Sequence, residues 1–158
     1  YEDANPRKFA SYFKFAFVRN PWDRLVSAYL FLKQGGMEAQ DAAWAEQHLA
    51  SFASFDQFVV SWVNPQSIRS WVHFVPQCYF VCDDQLRQKL DFIGRYESIA
   101  ADVASIQDRL SLPRIQLPRN NPTVGRGHYA DYYTAASRKI VADVYADDIA
   151  CFGYDFER

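Results

Sequence analysis

One short segment combines the residue types that bind an anionic group. Arg19 follows an apolar run, and Asn20 and Pro21 are typical of the first residues of a helix. A guanidinium between a buried strand and a helix N-terminus can hold two phosphate oxygens, and first-turn N–H groups favour an anion there. Ser27, about two helical turns further on, could add a hydroxyl. The segment predicts a phosphate site; the alternative is that Arg19 pairs with Asp23 and Ser27 only packs.

Other residues are candidates for proton transfer or ligand binding. His73 could act as a base, although a hydrogen-bonded structural histidine is equally compatible with the sequence. Arg126 lies between glycines in the irregular stretch 113–129 and could reach the same phosphate, or it could be a solvated loop arginine. Cys78 and Cys82 with His73 fit no zinc spacing and lack a fourth ligand, so the sequence predicts no metal site.

The elements that position these residues follow from the hydrophobic pattern. Residues 13–18 predict a strand buried on both faces, and helical spacing of apolar residues then predicts a helix that ends at Gly35 and Gly36. We expect further helices over about 38–48, 54–63, 98–110 and 134–149, and short strands over 79–82 and 91–96. This alternation predicts an α/β fold in a single domain over residues 1–158.

The amino-acid composition excludes several classes of protein. The chain has 158 residues, is 49% hydrophobic, and carries 17 Lys and Arg against 19 Asp and Glu. These values exclude a disordered chain and a coiled coil, and a net charge of −2 gives no general attraction to nucleic acid or anionic membranes. No apolar run is long enough to span a bilayer, and the three cysteines are too few for a disulfide framework.

Several motifs resemble one enzyme family. Residues 19–29, Arg-Asn-Pro-Trp-Asp-Arg-Leu-Val-Ser-Ala-Tyr, are similar to the 3′-phosphate motif of sulfotransferases that use 3′-phosphoadenosine 5′-phosphosulfate (PAPS). Residues 73–77, His-Phe-Val-Pro-Gln, resemble the His-x-x-Pro-Gln stretch of the carbohydrate-type family. Residues 91–97 resemble its strand with a closing aromatic-Glu pair, and residues 147–156 resemble its Asp-Ile and Phe-Gly-Tyr-x-Phe ending.

The resemblance implies a fold, a reaction and a set of roles. The fold would be a three-layer α/β fold like that of P-loop NTPases, with a small parallel sheet flanked by helices. The reaction would move a sulfuryl group from PAPS to a carbohydrate or small-molecule hydroxyl, without a metal. Arg19 and Ser27 would bind the 3′-phosphate, and Tyr96 matches a tyrosine that contacts adenine; packing at the strand end is the alternative role for Tyr96. His73 is the candidate base beside a family motif, and Arg126 remains our own addition to the cofactor site.

One family feature has no counterpart in the sequence. The family holds the 5′-phosphosulfate with a Pro-Lys-x-Gly-[Ser/Thr]-[Ser/Thr] loop, and residues 6–9, Pro-Arg-Lys-Phe, do not match it. Because the chain starts at Tyr1 and its only methionine is Met37, we expect that loop, and the strand before it, to lie upstream. A chain lacking that strand is expected to dimerise, to swap an element or to borrow the missing segment.

Two further expectations follow from the missing loop and the composition. The alternative function is a non-catalytic relative that binds an adenine nucleotide or a glycan. The few cysteines favour a cytoplasmic location, whereas a truncated eukaryotic enzyme would belong to the Golgi membrane.

Overall fold

The computed structural model describes residues 5–115, 117 and 126–157. The chain divides into two compact units: the first unit comprises Tyr1–Arg19 and Gln77–Leu117, and the second comprises Asn20–Pro76 and Pro118–Arg158. Part of the irregular stretch expected over 113–129, residues 116 and 118–125, lies outside the described residues. Within the described residues, no helix combines the length and the apolar character needed to cross a bilayer.

The described helices and strands occur along the chain in the following order: α1 (Pro6–Ser11), β1 (Phe15–Val18), α2 (Pro21–Lys33), α3 (Ala39–Leu49), α4 (Phe55–Trp62), α5 (Cys78–Val81), β2 (Phe92–Arg95), α6 (Ile99–Arg109), α7 (Ala135–Val144) and α8 (Ala146–Phe152). Short 3-10 turns cover Ser67–Arg69, Val72–Phe74, Tyr96–Ser98 and Tyr129–Tyr132. The helix-rich α/β class with a small parallel sheet, expected from the sequence, is confirmed.

The first unit is built on a two-stranded parallel sheet of β1 and β2. Its register pairs Phe15 with Phe92 at one end and Val18 with Arg95 at the other, and α6 packs against β2. The expectation that β1 is buried on both faces was wrong. Only Val18 is buried, and Phe15 is 47% exposed, so one end of this strand of the two-stranded sheet lies at the surface.

The prediction of a strand over residues 79–82 was also wrong, because Cys78–Val81 forms the single helical turn α5. Cys78 and Val81, three residues apart, are buried, whereas Tyr79 and Phe80 are 44% and 59% exposed. That burial pattern has the helical period rather than the alternation of a strand. Aromatic and β-branched composition favours a strand where a neighbour completes the ladder, and in the described part of the chain Cys82 forms an isolated bridge with Gln88.

The second unit holds the main hydrophobic core, which is dominated by aromatic rings. Trp44 stacks on Trp71 with centroids 5.4 Å apart, and Phe58 stacks on Trp62 at 5.2 Å. Helix α2 supplies the apolar face expected from its spacing, and the core also takes side chains from α3, α4 and α7. The fully buried members of this core include the following: Leu25, Val26, Leu32, Leu49, Phe58, Val59, Ile68, Phe74, Val141 and Tyr145.

Local signals set the helix ends in this unit. Thr134 and Ser137 form a capping box at the start of α7, and the Thr134 hydroxyl also donates to the Asp56 carboxylate at 2.8 Å. The single helix expected over 134–149 is divided, because Tyr145 adopts φ −106° and ψ 27° between α7 and α8. Sequence periodicity did not reveal this break, since buried residues continue at helical spacing across it.

Candidate functional site

Arg19 follows the last residue of β1, as the sequence predicted, and its main chain is held by one side chain. The Arg19 N–H donates to Gln77 Oε1 at 2.9 Å, and Gln77 Nε2 donates to the Arg19 carbonyl at 2.8 Å. Gln77 is only 8% exposed, so this pair of hydrogen bonds is shielded from water. Both residues belong to the first unit.

The Arg19 guanidinium lies over the ring of Tyr96, with its central carbon 4.2 Å from the ring centroid. The strand register explains this contact. Val18 and Arg95 are paired at the ends of parallel strands, so the residues that follow them emerge at the same edge of the sheet. Tyr96 is 50% exposed. The structure therefore brings together Arg19 and Tyr96, the predicted cofactor-binding residues of the first unit.

The turn that carries Tyr96 is fixed by a carboxylate of α6. Asp102 Oδ2 accepts from the Arg95 N–H at 2.6 Å and from the Ser98 hydroxyl at 2.8 Å. A Cβ at Gly94 would lie 2.5 Å from the Phe17 ring, so the approach of β1 to β2 requires a glycine there. These contacts place the aromatic ring before any ligand is bound.

In the second unit, the N-terminus of α2 differs from the expectation. The Asn20 side chain accepts from the N–H of Trp22 at 3.0 Å and of Asp23 at 3.4 Å, and Pro21 has no N–H. The first-turn donors expected to face an anion are therefore occupied by the chain itself. Ser27 lies on the second turn of the same helix and is partly buried.

Arg126 is ion-paired with Asp23 in the second unit. One terminal guanidinium nitrogen donates to the Asp23 carboxylate and, at 3.3 Å, to the Asp23 carbonyl. The side chains are only 15% and 16% exposed. Among the described residues, the buried Arg126 Nε finds no hydrogen-bond partner. The Asp23 carboxylate, which the sequence analysis offered as an alternative partner for Arg19, is thus also a partner of Arg126.

His73 is held by a buried carboxylate. Its Nε2 lies 3.1 Å from Asp41 Oδ1, and its ring packs edge-on against Phe31. Burial opposes ionisation of Asp41, but hydrogen bonds from the Met37 amide and from His73 outweigh it and hold the pKa of Asp41 below its usual value. Since a carboxylate only accepts, Nε2 carries the proton in the neutral ring and Nδ1 is the basic nitrogen.

The peptide between His73 and Gln77 is fixed at consecutive carbonyls. Tyr145, fully buried, donates its hydroxyl to the Phe74 carbonyl at 2.8 Å. Arg24 donates to the next carbonyl, that of Val75, at 2.9 Å. Arg24 thus supports a loop of the second unit.

Three of these partners were not predicted from the sequence: Gln77 for Arg19, Asp41 for His73, and Asp23 for Arg126. The motif of residues 73–77 contained a signal for Gln77, whereas the other two pairings join residues far apart along the chain. In the part of the chain that the structure describes, no cluster of His, Cys, Asp or Glu has the arrangement of a metal site.

Comparisons with known proteins agree with the motifs. A model described as "Sulfotransferase family" matches residues 1–155. Carbohydrate sulfotransferase 14 of Danio rerio is 28% identical over 166 residues, covering 90% of this chain and 44% of that protein. An uncharacterized protein of Archaeoglobus fulgidus is 29% identical over 107 residues, covering 66% of this chain and 72% of that protein. No solved structure gives a significant match. The chain thus spans less than half the length of the Danio rerio relative.

Proposed function

The chain belongs to the sulfotransferase family, and we propose that it binds the 3′-phosphate of PAPS through Arg19 and Ser27. Membership of this family supports sulfuryl transfer as the general reaction. The more specific proposal is transfer from PAPS to a hydroxyl of a carbohydrate or a related small molecule. The name of the Danio rerio relative, a carbohydrate sulfotransferase, supports the choice of acceptor.

The observation that carries the proposal is the preorganised arginine at the end of β1. The Arg19 guanidinium is a planar fork that matches two phosphate oxygens, and its main chain is fixed by Gln77. Tyr96 beside it offers a half-exposed ring on which a purine can stack. The donor set therefore fits a 3′-phosphorylated adenine nucleotide.

The roles of Ser27 and Arg126 are proposed from different grounds. Ser27 occupies the position of the motif serine, and its role rests on that spacing. Arg126 has a buried Nε without a hydrogen-bond partner among the described residues. An anionic oxygen at that nitrogen would satisfy it, which supports Arg126 as a second phosphate ligand.

We propose His73 as the base for the acceptor hydroxyl. When bound, PAPS supplies the sulfuryl group and leaves as 3′-phosphoadenosine 5′-phosphate (PAP). His73 would accept the hydroxyl proton at Nδ1, while Asp41 holds Nε2–H and stabilises the resulting imidazolium. No described residue is assigned to the 5′-phosphosulfate, because residues 6–9 are in α1 and form no glycine loop.

The test is calorimetric titration of the protein with PAP and with AMP. We expect PAP to bind at least about tenfold more tightly than AMP, because a hydrogen-bonded guanidinium–phosphate pair contributes about 1.5–3 kcal/mol. Arg19→Ala should remove this preference, and Ser27→Ala should reduce it. Tyr96→Leu should instead weaken both nucleotides by a similar factor, since both carry adenine.

Arg114→Ala is the matched control. Arg114 also lies in the first unit, and its ion pair with Asp108 is exposed. Its loss should leave the preference unchanged. Equal affinity of the unmodified protein for PAP and AMP would contradict the 3′-phosphate proposal. PAP binding without sulfuryl transfer by the full-length protein would favour the non-catalytic nucleotide-binding alternative.

A further inference from the structure

Gln77 extends the hydrogen bonding of β1 beyond the point where the backbone ladder stops. The last register pair of the sheet is Val18 with Arg95. The next residue, Arg19, exchanges its two main-chain hydrogen bonds with the Gln77 carboxamide instead of with another strand. The carboxamide therefore replaces a peptide group of a neighbouring strand.

A carboxamide suits this position for a chemical reason. It presents one acceptor and one donor side by side, which is the complement of the N–H and carbonyl of a single residue. The orientation of the amide is fixed by these partners, because Oε1 must face the Arg19 N–H and Nε2 must face the carbonyl. A carboxylate of the same size would lose the donor and repel the Arg19 carbonyl.

We propose that Gln77 is a positioning residue for the 3′-phosphate ligand Arg19: by fixing the Arg19 main chain, it keeps the guanidinium against Tyr96 before a nucleotide binds. The inference rests on the proposed function for its ligand, but the geometry it explains is present in the chain itself. A long arginine side chain loses rotamer freedom when it binds a phosphate. Fixing the Arg19 main chain in advance reduces this loss of rotamer freedom. Gln77 therefore affects the affinity for the nucleotide without contacting it.

The first test needs no ligand. The Arg19 Nε–H signal in a 1H–15N NMR spectrum, assigned by its loss in Arg19→Lys, should show an upfield ring-current shift from Tyr96. Tyr96→Leu should abolish this shift, and Gln77→Ala should reduce it by at least half. An unchanged shift in Gln77→Ala would overturn the proposal.

The second test measures nucleotide preference. Gln77→Ala should weaken PAP binding by about two- to tenfold, the range expected from ordering one mobile side chain, and leave AMP binding unchanged. Undiminished preference for PAP in Gln77→Ala would overturn the positioning role, even if the NMR shift were lost. If the unmodified protein itself shows no preference, the proposed function fails, while the NMR experiment still decides whether Gln77 holds Arg19.

Two further variants separate positioning from stability. Gln107 is also a buried glutamine of the first unit, and its Nε2 donates to the Pro113 carbonyl. Gln107→Ala should therefore lower stability without moving the Arg19 signal or the preference for PAP. Should Gln77→Ala fail to fold, Gln77→Glu keeps the size and the acceptor for the Arg19 N–H, and it should still release the Arg19 carbonyl. An Arg19 signal that stays in place in Gln77→Glu would equally count against the proposal.

Discussion

The ion pair between Arg126 and Asp23 connects the residues just before Tyr129 to the first turn of α2, and it is buried enough for its contribution to stability to be measured. The two side chains are 15% and 16% exposed. Asp23 also lies in the first turn of α2, where the helix dipole favours a negative charge. Replacing Asp23 by alanine would leave a guanidinium buried without its carboxylate. Lys139 and Asp143 offer a comparison, because they form an ion pair at 2.8 Å with side chains 74% and 63% exposed.

The expected loss of folding stability depends on how deeply each ion pair is buried. Removing one partner of a buried pair costs about 3–5 kcal/mol, and the slight exposure here places Asp23→Ala near the lower limit, about 3 kcal/mol. For a chain of this length, that corresponds to a fall in Tm of about 6–12 °C. Part of the loss belongs to the helix dipole, so a double-mutant cycle with Arg126→Ala is needed to isolate the pair. We expect a coupling free energy of about 2 kcal/mol for Arg126 with Asp23.

The assay is urea unfolding of the four proteins of each cycle, at low and at high salt. The Lys139–Asp143 cycle should give about 0.3–0.5 kcal/mol and lose most of it in 0.5 M salt. The Arg126–Asp23 coupling should largely persist in salt, because a mostly buried ion pair is screened much less than an exposed one. A coupling as small and as salt-sensitive as that of the control would refute the argument that burial strengthens this pair.

Two further predictions concern the supports of residues 73–77. Tyr145→Phe should destabilise the protein by about 1–3 kcal/mol in urea unfolding, because the buried Phe74 carbonyl loses its donor; an unchanged midpoint would show that another group replaces it. The pKa of Asp41 is lowered in the folded state, since hydrogen bonds from a backbone amide and from His73 outweigh the opposing effect of burial. Asp41 therefore stabilises the folded protein fully above its pKa in the unfolded chain, about 4, and this contribution is lost as the pH falls further. Asp41→Asn should consequently lose less stability on acidification than the unmodified protein does.

The sequence by itself determined the features that depend on neighbours along the chain. Asn20 and Pro21 begin α2, and Gly35, with φ +94°, follows its end, because capping and φ preferences act within a few residues. The strand before Arg19 and the helix after it therefore appear where they were predicted. The motif of residues 19–29 also sufficed to indicate the family that the comparisons confirm.

The tertiary structure decided which distant residues meet. Residues 79–82 have the composition of a strand, but among the described residues Cys82 makes an isolated bridge and Cys78–Val81 forms α5. Tyr96 reaches Arg19 because of the register of two parallel strands, and Gln77 completes that contact from another part of the chain. Partner choice between residues far apart depends on packing and register, which no local preference specifies; that is why a motif identified the arginine but not the glutamine that holds it.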